Sequence, residues 1–519
     1  MTDLISNFSL GLSVAFTPTN ILFLLIGVCV GMVVGAFPGF GPAAGIAILL
    51  PVTFGMDPTA AIIMLAGIYY GSMYGGSITS ILINTPGEAA TVASMLDGYP
   101  LARKGRAGPA LVMHAIASFV GGTIGVILIC ALAPWLASVA ATFGPSEYFL
   151  IITMGIMLLT VMMGEDKIKG IMSALFGFAI AMVGVDVMSG MQRFTFGSPE
   201  LIGGIDFVAV AIGLFGIGEL LYCVYTGLHK EKDEDKIKVP FLGKGFWPNK
   251  DDLSTTKFTM FRGSILGFIA GVLPGSGATL GSIMGYSIEK KISKRSDNFG
   301  KGEMAGLVAP EAANNAASSG AMVPLLSLGI PGSGATAVLL GAFMIWGLQP
   351  GPQLMTANPD FAWGVIMSMY LGNVVLVIMS IVAIPLIVKV LDIPYRILIP
   401  IIVVLCVVGT FSYHGSIIET WILIFSGVLG FFMKLYGYSP AAVVLALVLG
   451  PMAENGLLQS VITSGGNPAT LLSRPATAIL FSVILLIVFV PIVIKLLKYF
   501  NKNKKAAATP NEFYDDQSG

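Results

Sequence analysis

The sequence predicts an all-α protein that crosses a membrane many times. Of its 519 residues, 55% are hydrophobic and only 11% are charged, whereas soluble proteins carry about 25% charged residues. The mean hydropathy is +0.87, and long apolar runs recur, for example at 108–133, 204–228, 365–391 and 476–498. Because a membrane helix needs roughly 20 apolar residues, we expect roughly 10–13 transmembrane helices.

The same composition argues against other classes of protein. Strands of a membrane β-barrel alternate apolar and polar residues, and no segment does so. The formal net charge is zero, so a nucleic-acid partner has no electrostatic basis. The sequence patterns of a P-loop, a zinc protease and a rhomboid-like protease do not occur, so we expect neither an enzyme nor a cofactor. The cysteines are widely spaced in apolar runs, which predicts small buried side chains rather than a metal site (Cys29, Cys130, Cys223, Cys406).

One long hydrophilic stretch divides the chain into two halves. We predict a first membrane repeat at 1–228, a charged cytoplasmic linker at 229–257, a second membrane repeat at 258–498 and a cytoplasmic polar tail at 499–519. The linker contains a run of alternating charges that begins at His229. Such a run is typical of a solvated loop rather than of a membrane helix.

The two halves contain the same pattern of glycine and proline. The pattern GxxxGxxxGxxPGxGxxxG occurs from Gly27 to Gly45 and again from Gly263 to Gly281. A second block also recurs, because Asn84–Thr91 (NTPGEAAT) corresponds to Gly329–Thr336 (GIPGSGAT). So many coincidences at fixed spacing predict two structural repeats.

Charge placement predicts that the repeats have opposite orientations. After the first block, half one has an almost uncharged connection at 53–58, whereas half two has five basic residues within 290–301. After the second block the bias reverses: half one has Arg103, Lys104 and Arg106, and half two has no basic residue at 349–353. Lys and Arg concentrate in cytoplasmic loops, so equivalent loops lie on opposite sides, as in an inverted-topology repeat.

The Pro-Gly pairs predict helices broken inside the membrane, as half-helices or re-entrant hairpins. Proline removes a backbone donor, and a break in hydrocarbon is tolerated only where protein buries it or a cavity is lined. Half-helix N-termini suit a carboxylate, while freed carbonyls and hydroxyls suit a cation such as sodium. Interrupted segments at matching places in two halves indicate a transporter site. We therefore predict that substrate or cation is bound by Pro38, Gly39, Gly41, Asn84, Thr85, Pro86, Gly87, Pro274, Gly275, Ser276, Gly277, Thr279, Pro331, Gly332, Ser333, Gly334 and Thr336.

Two alternatives stay open at this point. The glycines that precede the breaks, such as Gly27 and Gly263, favour close helix packing instead of binding. The polar segment 310–320 adds Asn314 and Asn315 as predicted site residues. Within it, Glu311 is either a coupling carboxylate inside the membrane, where a charge costs roughly 2.5–3.5 kcal/mol, or a capping acid at the interface.

Four stretches that contain these blocks resemble one known family. They are GMVVGAFPGFGPAAGIAILLP (31–51), YGGSITSILINTPGEAATVASMLDGYPLARKGRAGPAL (74–111), GVLPGSGATLGSIMGYSIEK (271–290) and APEAANNAASSGAMVPLLSLGIPGSGATAVLLGA (309–342). The sequence resembles the large membrane subunit of tripartite tricarboxylate transporters, the TctA family. The resemblance implies a multi-pass protein of the bacterial inner membrane, which works with a small TctB-like membrane subunit and a periplasmic TctC-like solute-binding protein.

The predicted function is therefore import of small organic carboxylates, such as citrate or a dicarboxylate. The resemblance implies symport driven by an ion gradient, with sodium as the expected coupling ion and a proton as the alternative. A passive channel or carrier for organic anions is the competing function. Beyond the transported cation we expect no metal. The sequence does not fix the substrate, the stoichiometry or the oligomeric state.

Overall fold

The computed structural model describes most of the chain. The described residues are 2–37, 39–162, 166–186, 189–227, 237, 239, 243, 245–275, 277–391, 395–466, 474–487 and 489. The predicted polar tail at 499–519, part of the predicted linker including 229–236, and the predicted site residues Pro38 and Ser276 lie outside them.

Helices make up nearly all of the regular structure. Those before the linker are α1 (Thr2–Ala15), α2 (Pro18–Ala36), α3 (Pro42–Leu49), α4 (Pro58–Ile83), α5 (Val92–Leu101), α6 (Ala107–Ala140), α7 (Pro145–Met162), α8 (Lys167–Ala181), α9 (Phe207–Ile212) and α10 (Gly218–Thr226). Those after it are α11 (Lys250–Val272), α12 (Gly277–Ile292), α13 (Met304–Gly320), α14 (Met322–Leu328), α15 (Gly334–Ile345), α16 (Pro352–Ala357), α17 (Pro359–Val382), α18 (Ile384–Leu391), α19 (Tyr395–His414), α20 (Ile417–Leu435), α21 (Pro440–Thr463) and α22 (Pro475–Ile487). Short 3-10 or π segments occur at Leu50–Thr53, Ala89–Thr91, Ala102–Arg106, Pro199–Leu201, Gly213–Ile217 and Ser296–Asn298. The strands β1 (Gly184–Val185) and β2 (Gln192–Arg193) form one antiparallel hairpin, with Gly184 opposite Arg193.

Eight described helical segments are long and apolar enough to cross a membrane. They are Pro18–Ala36, Pro58–Ile83, Ala89–Ala140, Phe207–Thr226, Pro359–Val382, Arg396–Tyr413, Ile417–Leu435 and Pro440–Thr463. The mostly helical, multi-pass architecture is therefore confirmed with eight candidate spans, and the larger number of roughly 10–13 stays a prediction.

The predicted glycine pattern brings helices into backbone contact. A Cβ on Gly27, Gly31 or Gly35 of α2 would lie 2.1–2.5 Å from a backbone carbonyl oxygen of α4. The same substitution at Gly263 or Gly267 of α11 would place a Cβ 2.6 or 2.0 Å from a carbonyl oxygen of α13. Real Cβ atoms do not approach so closely. The helix-packing interpretation of these glycines is thus confirmed, because only a residue without a side chain permits such contacts.

Helix α12 returns along α11 after a break that includes 273–275, which gives a hairpin. A Cβ on Gly281 of α12 would lie 3.3 Å from the Cα of Gly267 in α11. Helix α11 begins at Lys250, inside the predicted linker, because Asp252 accepts a hydrogen bond from the backbone N–H of Asn249 at 2.9 Å and caps the first turn.

Helix α13 is buried along its whole length. It packs against α6, α11 and α12, so no face of it meets solvent or lipid. This placement explains why a helix that contains Glu311, Asn314 and Asn315 is tolerated, because polar groups at membrane depth face the interior of a bundle.

Asp97 of α5 joins the first half to the loop that precedes α13. Its buried carboxylate accepts hydrogen bonds from the backbone N–H groups of Gly300 (3.0 Å), Gly302 (2.7 Å) and Glu303 (2.7 Å) and from the Tyr286 hydroxyl (3.1 Å). One carboxylate therefore fixes a loop from the other half of the chain.

Replacing Asp97 with asparagine should free this loop. The amide has one oxygen acceptor instead of two, so several N–H groups lose a charge-assisted bond, each worth about 1.5–3 kcal/mol. We expect faster proteolysis at 300–303 in inside-out membrane vesicles. Asp251→Asn is the control, because the Asp251 side chain is 74% exposed. Equal proteolysis of the two variants would contradict this role for Asp97.

Candidate functional site

The two Pro-Gly breaks of the second half lie side by side. The backbone N–H of Gly275 donates to the carbonyl of Gly332 at 3.1 Å. Gly275 has φ +84° and Gly277 has φ +50°, in the left-handed region that glycine adopts without strain. Pro331 and Gly332 are buried. The structure therefore brings the predicted segments 274–277 and 331–334 together at one place.

The breaks of the first half also approach each other. A Cβ on Gly87 would lie 2.2 Å from the carbonyl oxygen of Gly35, which stands just before the first break. In the second half, a Cβ on Gly332 would lie 3.0 Å from the carbonyl oxygen of Gly271. In each half, the second break therefore lies against the end of the helix that precedes the first break.

Ser333 caps α15 and reaches the first half. Its backbone N–H donates to Thr336 Oγ1 at 2.8 Å, and its Oγ accepts from the Thr336 N–H at 3.3 Å, which is a reciprocal cap. The Tyr69 hydroxyl of α4 lies 3.4 Å from Ser333 Oγ. Both hydroxyls that the sequence assigns to cation binding here are therefore already hydrogen-bonded.

Asn314 of α13 lies beside Glu88, which follows the second break of the first half. The Asn314 side chain is fully buried, and neither of its amide atoms has a hydrogen-bond partner of normal geometry among the described residues. Glu88 is close enough to interact with this amide, and its Oε1 is shielded from solvent without a hydrogen-bond partner in the described chain. Glu311 is the other carboxyl group whose charge acts on Glu88.

Glu311 lies in the middle of α13 and pairs with His114 of α6. His114 Nδ1 is 2.8 Å from Glu311 Oε2, the Ser118 hydroxyl donates to the same oxygen at 3.3 Å, and both members of the pair are at most 1% exposed. Glu311 is therefore not an interfacial capping acid. Its Oε1 and His114 Nε2 have no hydrogen-bond partner among the described residues.

Other predicted site residues lie at the margin of this cluster. Asn84 is exposed and ends α4 with φ +52°. Gly41 begins α3 and has open space around it, whereas Thr279 is half-buried in the first turn of α12. Asn315 donates to the Glu311 carbonyl at 3.1 Å and faces a narrow pocket. The remaining predicted residues lie at the breaks themselves: Gly39 (φ +90°), Thr85, Pro86, Pro274 and Gly334.

Sequence reasoning missed Glu88, Tyr69 and His114 as members of this cluster. A signal for Glu88 existed, because it is a carboxylate inside the repeated block at 84–91, where a charge at membrane depth points to function. No local pattern identifies Tyr69 or His114, because their partners stand far away in the chain.

A separate cavity lies under the hairpin of β1 and β2. It measures about 430 Å3 and is lined by Arg193, Glu454 and Asn455 among others. Arg193 holds Glu454 through two hydrogen bonds of 2.6 and 3.1 Å and Asp186 at 3.2 Å. This cavity does not include the residues of the Pro-Gly cluster.

The fold and the site define a class. A polytopic helical membrane protein whose broken helices meet in a buried polar cluster belongs with the membrane transport proteins. Comparison with known proteins gives the particular family. The family model described as "Tripartite tricarboxylate transporter TctA family" matches residues 21–445.

Two relatives from Agrobacterium vitis are also similar to the chain. An "Uncharacterized 52.8 kDa protein in TAR-I ttuC' 3'region" is 43% identical over 483 residues, which cover 93% of this chain and 95% of the relative. An "Uncharacterized protein in TAR-II ttuC' 3'region" is 42% identical over 212 residues, which cover 41% of this chain and 88% of the relative. No solved structure matches.

The chain belongs to the TctA family and is the membrane component of a tripartite tricarboxylate transporter. It is a transporter component rather than an enzyme. Membership implies a three-part system with TctB and TctC partners.

Proposed function

We propose that this chain is the translocation subunit of a sodium-coupled importer of small organic carboxylates, with citrate or another di- or tricarboxylate as substrate. It works in the bacterial inner membrane with a small membrane subunit and a periplasmic solute-binding protein. The hydrogen bond between Gly275 and Gly332 carries this proposal, because it joins two helix breaks inside a membrane protein. The N–H groups of Gly334 and Ala335 in the first turn of α15 have no partner within that helix and offer a carboxylate donors.

Packing contacts support the proposed pair of repeats. The alignment that pairs 84–91 with 329–336 also pairs Ile68 with Ala313. A Cβ on Gly31 would meet the carbonyl of Ile68, and a Cβ on the corresponding Gly267 would meet the carbonyl of Ala313. The same packing therefore occurs once in each half.

Contacts between the halves repeat as well, with the halves exchanged. In the same alignment Tyr69 corresponds to Asn314, and Glu88 corresponds to Ser333. Tyr69 of the first half contacts Ser333 of the second, and Asn314 of the second interacts with Glu88 of the first. Such an exchange is expected of two repeats related by a two-fold axis, with the site at their interface.

Loop contacts support the inverted orientation. The two basic loops follow different blocks in the two halves, yet Lys104 Nζ donates to the Lys301 carbonyl. Arg106 also pairs with Asp252 at 2.6 Å, near the predicted linker. These segments therefore lie on one side, which the positive-inside rule assigns to the cytoplasm.

Helices α4 and α17, which follow the uncharged connections at 53–58 and 349–353, also contact each other near their N-termini. A Cβ on Gly364 of α17 would lie 3.6 Å from Thr59 Cγ2 of α4. This contact supports two oppositely oriented repeats.

Coupling to a cation follows from the membrane potential. Moving one elementary charge across the membrane is worth roughly 2.3 kcal/mol per 100 mV, and a trivalent anion entering a negative interior faces roughly three times that. Co-transported cations must therefore at least compensate the charge. One repeat then moves against the other, so that the site opens to each side in turn.

The proposal is tested by uptake of labelled citrate in cells that express the chain with both partners. Sodium is present or replaced, and unlabelled di- and tricarboxylates compete. We expect sodium-dependent accumulation above the external concentration. Equilibration without accumulation would favour the passive carrier instead. Absence of uptake, with all three proteins expressed, would exclude citrate and direct the search to ligands of the binding protein.

A further inference from the structure

We propose that Glu88 and Asn314 bind the coupling cation, with Glu311 adding negative charge to the same pocket. The ligand class is a small monovalent cation that prefers oxygen donors, and sodium is the probe. This assignment rests on the proposed function, because it names the groups that perform its coupling step. Neither the family comparison nor the sequence assigns a role to Glu88.

Unsatisfied hydrogen-bonding groups point to a ligand at this place. Asn314 is fully buried, and both of its amide atoms have no partner of normal geometry in the described chain. The Oε1 atoms of Glu88 and Glu311 are likewise shielded and have no hydrogen-bond partner there. Buried polar groups are nearly always satisfied, by protein, water or an ion, so three adjacent unsatisfied side chains mark a binding site. A cation coordinated by Glu88 Oε1, Glu311 Oε1 and Asn314 Oδ1 would satisfy these three acceptor oxygens.

The charges lead to the same conclusion. The pair of Glu311 and His114 is neutral at best, when His114 carries a proton. Glu88 takes part in no ion pair formed by the described residues. Glu311, another carboxyl group, is close enough for its charge to act on Glu88. Two carboxyl groups therefore face one histidine, and ionisation of both carboxyl groups requires a further cation. A carboxylate out of water is strongly destabilised without a counter-charge, and one monovalent cation supplies it.

The hydroxyl groups of the second break suit this role less well. Ser333 and Thr336 already bond each other in the cap of α15, and Ser333 contacts Tyr69. Coordination of a cation there would have to disrupt the helix cap. Coordination by Glu88 and Asn314 leaves the cap of α15 intact. The half-site of Glu88 and Asn314 therefore holds the cation, and the half-site of Ser333 and Thr336 is left for the carboxylate.

The position also gives an ion access. Glu88 is half-buried, while Asn314 and Glu311 are fully buried behind it. An ion that enters past Glu88 therefore exchanges water for protein ligands in steps. It also bridges the first half, which holds Glu88, and the second half, which holds Asn314. Occupancy of this site links the two halves that move against each other during transport.

Binding of radioactive sodium to the purified chain with its small membrane subunit tests the assignment. Glu88→Gln keeps the shape and removes the charge, and Asn314→Ala removes an uncharged ligand without touching the ion pair. We expect each change to raise the sodium concentration for half-maximal binding at least about tenfold, which corresponds to a loss of about 1.4 kcal/mol in binding free energy. Glu147→Gln is the control, because Glu147 is buried but pairs with Arg474 at 3.1 Å, and this variant should bind sodium like the unchanged chain.

The outcomes separate this assignment from the proposed function. Sodium binding by Glu88→Gln that equals the unchanged chain would overturn the assignment, as would loss of binding on Ser333→Ala with Glu88→Gln unaffected. No sodium binding by the unchanged chain, together with uptake that follows a proton gradient, would make the ligand a proton and also overturn it. Failure of the unchanged transporter to accumulate any carboxylate under either gradient would instead count against the proposed function itself.

Discussion

Replacing Gly267 with alanine should prevent α11 from packing on α13 and remove most of the folded protein. The added Cβ would lie 2.0 Å from the carbonyl oxygen of Ala313 and 2.5 Å from its Cα. Both atoms are backbone, so no side chain can rotate away and the helices must separate. Overpacked cores lose about 1–3 kcal/mol, occasionally more, and a backbone clash belongs at the upper end. Gly31→Ala should act similarly, because its Cβ would lie 2.5 Å from the Ile68 carbonyl oxygen.

The measurement is the yield of monodisperse protein in detergent and the temperature at which it aggregates. Gly203→Ala provides the matched control, because a Cβ there meets no atom within 4 Å and the residue has no positive φ. We expect this control to resemble the unchanged chain. If Gly267→Ala were equally stable, the two helices would not need the contact between their backbones, and the glycine pattern would need another explanation.

The features that the sequence predicted well are periodic. Apolar runs predicted membrane helices, and glycines four residues apart predicted the contact of α2 with α4 and of α11 with α13. Pro-Gly pairs predicted the breaks before α12 and α15. Each of these features depends on neighbours along the chain, because helix geometry places residues i and i+4 on one face. These features can therefore be predicted without knowledge of the tertiary structure.

The partners of the buried polar groups were not predictable in the same way. Glu311 was recognised as a candidate, yet its histidine stands on α6, far away in the chain. Glu88 lies beside Asn314 only because the two halves pack against each other. The sequence showed two similar halves without showing how they touch, and the site is made of those contacts. The two half-sites differ in chemistry where the repeats differ in sequence. One example is Glu88, which corresponds to Ser333 in the second half.

Breaking the pair of Glu311 and His114 should be the most damaging change to a side-chain interaction. Both groups are at most 1% exposed, and Nδ1 and Oε2 are 2.8 Å apart. Removing one member of a buried pair typically costs about 3–5 kcal/mol, because the other charge stays buried without a partner. We expect His114→Gln to lower the unfolding free energy by about this amount, measured by titration with a denaturing detergent. Carboxylate uptake should be lost as well.

A double-mutant cycle distinguishes loss of the pair from loss of packing. If the charges act together, His114→Gln combined with Glu311→Gln should cost less than the sum of the single changes, because no buried charge remains at either position. The exposed pair of Arg295 and Asp251, whose atoms are 3.9 Å apart, is the control and should give a coupling of about 0–1 kcal/mol. Additive costs at His114 and Glu311 would mean that the two charges do not stabilise each other. Glu311 would then be an independent charge that still requires a cation of its own, which would double the number of ions needed to neutralise the site.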